Sequence, residues 1–259
     1  MDFLDDPRRK FLIKALQAGA FTVGLSSSAV KAGFFGQTPK KLPAGKSLYR
    51  IEGQVKVNGK VADANTIITA NDTIETMENS QAVFAVGQDA FLLRKNSKLK
   101  LTGRDKFKNR LKKNKKTSSS DQPKIQDNMV VESLRLVTGG ALTVFGKTAH
   151  EVKTVNASIG IRGTGVYFES EENRSYVCTC YGETVITADN DPDSKEALST
   201  KHHDAPRYIL SDAKKGEKII PAPYKNHADL ELMLLEELVG RTPPFAVSSD
   251  SYNAPRRGY

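Results

Sequence analysis

Thr154–Ile186, TVNASIGIRGTGVYFESEENRSYVCTCYGETVI, is the stretch whose reading decides the fold. It reads as strand, tight turn, strand, turn, strand. The first break is Ile159-Gly160-Ile161-Arg162-Gly163-Thr164-Gly165. Glycine suits a backbone that must take positive φ or pass close to another segment. Gly160, Arg162 and Gly163 are therefore expected to form a structural turn, with Arg162 tying loops together or standing at the rim as a free charge. The last strand carries both cysteines of the chain, Cys178 and Cys180.

Upstream, the same period-two pattern recurs. Tyr49, Ile51, Val55 and Val57 alternate with Arg50, Glu52, Gln54 and Lys56, which predicts a half-buried strand. Asn58-Gly59 follows at once, the strongest short signal for a type I′ hairpin. Further short strands are expected at 66–69, 73–76, 81–86, 90–94 and 98–101, then at 134–137 and 142–145 around a Gly139-Gly140 turn. Strands at such spacing with turn residues between them predict an all-β fold. After Ala188 the chain turns polar, with a strand at Arg207–Leu210. Asn226-His227-Ala228-Asp229 then looks like a helix start, with Asn226 as cap. Leu230, Met233, Leu234 and Leu238 form an apolar stripe at helical spacing, and Gly240 with Pro243-Pro244 closes the helix. Glu171-Glu172 and Glu236-Glu237 read as solvated charge.

The 259 residues carry a formal net charge of +9, a value that often marks a nucleic-acid partner. Its location argues otherwise. Arg104–Lys116 holds eight basic residues against one acid, and residues 1–32 hold five against three. Together these account for the whole charge, so the folded body is near neutral and nucleic acid is not an expected partner. Arg104, Lys106, Lys108, Arg110, Lys112, Lys113, Lys115 and Lys116 belong to an expected mobile loop over 104–123. A solvated charge run is the simple reading; contact with an anionic membrane or wall polymer is the functional one.

Residues 1–32 read as an export address. Arg8-Arg9-Lys10-Phe11-Leu12 resembles a twin-arginine signal, followed by a weakly apolar run and Val30-Lys31-Ala32, where cleavage is expected. The protein is thus expected in the periplasm. The expected organisation is a signal (1–32), a linker (33–46), a β domain (47–190), a C-terminal segment with one helix (191–244) and a disordered tail (245–259).

IEGQVKVNG (51–59), NDTIETMENSQAVFAV (71–86), DAFLLRKNSKLKL (89–101), LRLVTGGALTV (134–144) and VNASIGIRGTGVYFE (155–169) together resemble the FecR-domain family. The resemblance implies a twisted β-solenoid-like structure or sandwich with a short C-terminal amphipathic helix. It also implies a non-enzymatic binding, scaffold or signalling module that contacts a protein partner of the envelope, with a link to iron-related signalling.

The chemistry candidates lie apart from the family pattern. Cys178 and Cys180, two apart on one strand, share a face. Their Cα atoms would stand about 6.6 Å apart, at the upper limit for a disulfide, with parallel Cβ vectors that resist closure. Of four histidines, three follow downstream: His202, His203 and His227. Two thiolates and one or two imidazoles suit zinc, copper or iron; a haem with Cys or His axial ligation is a further possibility, although CxxCH is absent. Adjacent histidines on a strand face opposite ways, so one of His202 and His203 is expected to join the site. No nucleophile elbow, phosphate-cradling loop or HExxH is present, so catalysis is not expected.

Overall fold

Three long strands carry the architecture: β8 (Met129–Val144), β10 (Ala157–Ser170) and β11 (Arg174–Ala188). The computed structural model describes residues 40–43, 45–105 and 129–245. The signal, the basic residues Lys106 to Lys116 and the tail beyond 245 lie outside the described residues, as does most of the linker.

Each long strand changes partner part-way along. The first half of β8 pairs with β7 (Lys98–Asp105), and the second half pairs with β6 (Asp89–Leu93) and with the second half of β10. The first half of β10 pairs with β9 (Ala149–Lys153), and β11 lies along its other edge. The change of partner requires a bend. In β8 it falls at Gly139, which sits at φ 86° where a Cβ would run into Ser97. The strand is continuous there, so the expected Gly139-Gly140 turn is a kink. The Gly160–Gly165 break likewise is an irregularity inside β10, with the register shifting between Arg162 and Gly165. Gly165 is needed because a Cβ would collide with the Tyr181 ring. Arg162 is exposed beside Gly163, on the rim.

The remaining strands extend this frame into one open sheet. β1 (Leu48–Glu52) pairs with β5 (Gln81–Val86), which pairs with β6; β2 (Val55–Val57) pairs with β3 (Lys60–Val61) and β4 (Thr73–Thr76), and β4 with β7. Asn58 and Gly59 take φ 51° and 80°, as a type I′ hairpin requires. The expected strand at 66–69 is irregular instead. Ser47 captures this segment, its hydroxyl donating to the Ile68 carbonyl and accepting from the Ile68 amide. β12 (Asp191–Thr200), within the stretch that reads as polar, pairs with the distal half of β11. β13 (Arg207–Leu210) pairs with the proximal half, and β14 (Ile219–Pro221) with β13. The protein is all-β with one short helix, α1 (Asp229–Leu238). Among the described residues no helix is long and apolar enough to cross a membrane.

Alternation along the central strands separates two apolar clusters. Phe84, Phe91, Phe168 and Val177 point into a larger cluster shared with β4, β7 and β9. Val83, Leu92, Tyr167, Tyr176, Cys178 and Cys180 point the other way, into a smaller cluster completed by Leu232, Leu234, Leu235 and Leu238 of α1. This cover explains why β6 is buried at every residue rather than at alternate ones. Leu42, from the expected linker, also packs here, and its amide donates to the Leu238 carbonyl.

Two expectations about α1 are corrected. Asn226 does not cap it: Ala228 is the N-cap, and Glu231 reaches back to the Ala228 amide at 3.0 Å. Glu236 is not solvated but buried, taking hydrogen bonds from Tyr181 and Arg241. The buried face runs through Glu231, Leu232, Leu234, Leu235 and Leu238, displacing Leu230 and Met233 to its margins.

Candidate metal centre

The site occupies a gap in the ladder beside β11. β12 leaves the strand opposite Gly182 and β13 joins it opposite Val177. Residues 201–206 loop out over the intervening Cys178–Tyr181. Two bonds hold the loop: the Thr200 hydroxyl donates to the Thr179 carbonyl at 2.8 Å, and the His203 amide to the Cys180 carbonyl at 2.9 Å. His203 takes a left-handed φ of 52°, which turns its ring down onto the sheet. Both cysteine side chains lie on this face because they are two residues apart on one strand; both are free and fully buried.

His227 arrives from the opposite side, two residues before α1. Its ring stacks on Tyr167 with centroids 4.6 Å apart. A buried network fixes the preceding residues. Glu169 accepts from Lys225, Asn226 and Tyr167 at 2.5–2.7 Å, and Arg94 donates to the Asn226 carbonyl while forming a bidentate pair with Glu231 at 2.6 and 2.8 Å. Burial raises the Glu169 pKa, but these hydrogen bonds outweigh it and hold the carboxyl below its usual range.

One donor atom each from Cys178, Cys180, His203 and His227 lies within 4.8 Å of all the others. Cys178 Sγ is 3.6 Å from His203 Nδ1, and His203 Nδ1 is 3.0 Å from His227 Nε2. The outer nitrogens define the tautomers. His203 Nε2 meets Asp229 Oδ1 at 2.9 Å, and His227 Nδ1 meets the Lys225 carbonyl at 2.7 Å. Both acceptors take an N–H, so in the neutral tautomers the inner nitrogens face one another, beside two sulfurs, with lone pairs available to a cation. Carboxylate and carbonyl partners behind the imidazoles are the usual outer support of a metal site.

The Cys178–His203 separation of 3.6 Å matches a tetrahedral nitrogen-to-sulfur edge, and the 3.0 Å between the two imidazoles is shorter than a nitrogen-to-nitrogen edge. With metal–sulfur and metal–nitrogen bonds of about 2.3 and 2.05 Å, tetrahedral edges are about 3.4 Å (N to N), 3.6 Å (N to S) and 3.8 Å (S to S). Four protein donors would close the coordination sphere of an ion held here, as in structural rather than hydrolytic centres. A haem uses one or two axial ligands, and a four-donor cluster of this size suits a single ion instead.

Electrostatics divide the two thiols. Cys178 is pulled far down, first by the Cys180 thiol and then by His203 and His227, against burial; Cys180 is pushed up by burial and by the neighbouring Cys178. Burial lowers His203, yet Asp229 and Cys178 carry it up to about 9. Cys178, His203 and Asp229 thus form a thiol–imidazole–carboxylate relay. The buried sulfur favours a ligand's role over a nucleophile's.

His202 is placed apart from the four donors. It is half exposed, on the outer side of Asp229, with Nε2 2.9 Å from the same Oδ1. Arg104 pairs with Glu132 at 3.1 Å on the surface. The remaining histidine, His150, is buried far along the sheet beside Asp89 and Phe145. Asp229, Glu169, Tyr167 and Arg94 carry no motif that sequence reading would select; the loop geometry alone reveals them.

No protein family and no curated protein matches this chain. Among solved structures, two crystal structures of a proposed anti-sigma factor from Parabacteroides distasonis ATCC 8503, at 1.65 and 2.50 Å resolution, are similar to part of it. They share 11% and 10% identity with TM-scores of 0.38 and 0.39, over 58% of this chain and 58% of theirs. A likeness at that score decides neither fold nor function.

Proposed function

We propose that this protein is a non-enzymatic metal-binding β-module that holds one tetrahedral ion through Cys178, Cys180, His203 and His227. The observation that carries the reading is the convergence of four donors within 4.8 Å, with both imidazoles turned lone-pair inward by Asp229 and the Lys225 carbonyl. Two sulfurs and two nitrogens favour zinc, with copper(I) as the softer competitor. The setting, an exported protein of the envelope that contacts a partner protein, rests on the signal-like residues 1–32 and the FecR-like sequence pattern.

Elemental analysis of the full chain purified after native export tests it. The expected result is about one zinc or copper per chain, lost when Cys178→Ser and Cys180→Ser are combined. Metal-free wild-type protein with both thiols titratable, or full occupancy in the double variant, overturns the assignment.

A further inference from the structure

Resting on the metal-site reading, we propose that the ion is a clip whose occupancy decides whether the C-terminal helix stays seated on the sheet. The four donors are split between two parts of the molecule. Cys178 and Cys180 belong to β11, and the bend carrying His203 is tied to β11 by the ladder on either side, β12 before it and β13 after it. His227 belongs to the chain beyond β14, which leaves the sheet at Pro221 and has no further strand pairing among the described residues.

That departing segment carries α1. Ten residues is too short for a helix to persist alone in water, so α1 is helical because its leucines lie on the sheet. What seats it is chiefly side chains: Leu232, Leu234, Leu235 and Leu238, the Arg94–Glu231 pair, Glu236 with Tyr181, Asp229 with His203, and Lys225 and Asn226 with Glu169. One backbone bond, from Leu42 to Leu238, joins its far end. A buried ion pair contributes little net stability once its desolvation is counted. His227, two residues before the helix, is thus the point at which an ion fastens the segment to the sheet.

With a cation between them, His203 Nδ1 and His227 Nε2 are co-ligands; without one, a single N–H···N hydrogen bond at 3.0 Å is the most that joins the two rings. Linkage requires reciprocity: an ion that binds only the seated form holds α1 down by a factor of one plus its concentration over Kd. The face uncovered by release is apolar and aromatic, with Val83, Leu92, Leu142, Tyr167 and Tyr176.

Hydrogen exchange on the full chain tests the clip, comparing zinc-loaded protein with protein stripped by a chelator under reducing conditions. At a free zinc concentration 100 times Kd, peptides spanning 224–238 are expected to exchange about 100-fold faster after stripping. Peptides from β5 and β6, whose bonds open with the global fold, gain the same linkage factor on loading, so the clip is read in the stripped protein, where 224–238 should exchange at least about tenfold faster than β5 and β6. His227→Gln, which leaves the other three donors in place, should show the exposed helix even with zinc present. Unchanged helix protection in protein shown to have carried one zinc sinks the clip and leaves the metal site standing. Helix peptides that exchange no faster than β5 and β6 in the stripped protein also sink it, because the helix then opens only with the whole fold. If the starting protein binds no zinc, both readings fail together.

Discussion

The two sides of the central strands are built on opposite principles. On one side, Phe84, Phe91, Phe168 and their neighbours form an interior of hydrocarbon and aromatic rings, with Phe84 stacked on Phe91 at 4.9 Å. On the other, the same strands present Tyr167, Tyr176, Cys178 and Cys180 to a helix that brings two buried glutamates. The first side is stabilised by removing apolar surface from water, which is non-directional and tolerant of partner. The second is held by directional contacts, each of which is costly if left unmade. A single strand pair thus separates a scaffold from a site, residue by residue, through alternation.

Breaking the scaffold should produce the largest effect. Phe91→Ala is expected to cost about 4 kcal/mol of unfolding free energy, and urea denaturation should show the same loss with and without metal. A metal-dependent loss would mean that the two sides are not separable.

Breaking the buried pair under the helix comes next. Glu231→Gln leaves Arg94 as an unpaired buried charge and should cost about 3 kcal/mol. Arg94→Met combined with Glu231→Leu should recover most of it. If the double variant is as unstable as the single one, the pair itself stabilises the seat.

A smaller effect is expected where the two sides meet. Asp89 lies 3.7 Å from His150, which packs against Phe145 of the larger cluster, while Arg241 and Glu236 from the helix end act on its charge. The contact resembles an ion pair by distance, but the titrations oppose it. Burial pushes Asp89 up to about 7, against the Gly146 amide and Arg241, and burial also pulls His150 down. Both shifts favour the neutral forms over an ion pair. The folded pKa of Asp89 exceeds its unfolded one, so its contribution is complete below about pH 4 and is lost as pH rises through about 7. Between pH 5 and 8 the wild type should lose about 3 kcal/mol through this group. Asp89→Asn keeps the acceptor for Gly146 and should flatten that slope in thermal unfolding followed across pH.

The finest test sharpens the site alone. Asp229→Asn should weaken zinc binding roughly tenfold while leaving one ion per chain at saturation, as read by competition with a chromophoric chelator. His202→Ala, which removes an exposed partner of the same carboxylate, should leave the zinc affinity within about threefold.

Much of the fold was legible because strands and hairpins are local. Period-two alternation and Asn58-Gly59 depend on neighbouring residues, and the structure bears out the all-β class with one C-terminal helix. The failures are also local in origin. The expected strand at 66–69 has the right residue types, yet Ser47 takes the Ile68 backbone out of any ladder. Asp191–Thr200 reads as polar because it is largely exposed, and it becomes a strand through pairing with β11.

For the site, the sequence by itself determined the donor types and the shared face of Cys178 and Cys180, since strand geometry alone relates residues two apart. It also indicated that adjacent histidines could not both enter one site. Which histidine enters was decided by tertiary structure. A left-handed residue at His203, in a loop made where β12 and β13 fail to meet, turns that ring inward and leaves His202 in solvent. His227 is brought in by contacts more than 50 residues away in the chain, through Arg94 and Glu169. No local pattern encodes a distance of that kind, because it exists only once the sheet has formed and the helix has folded back across it.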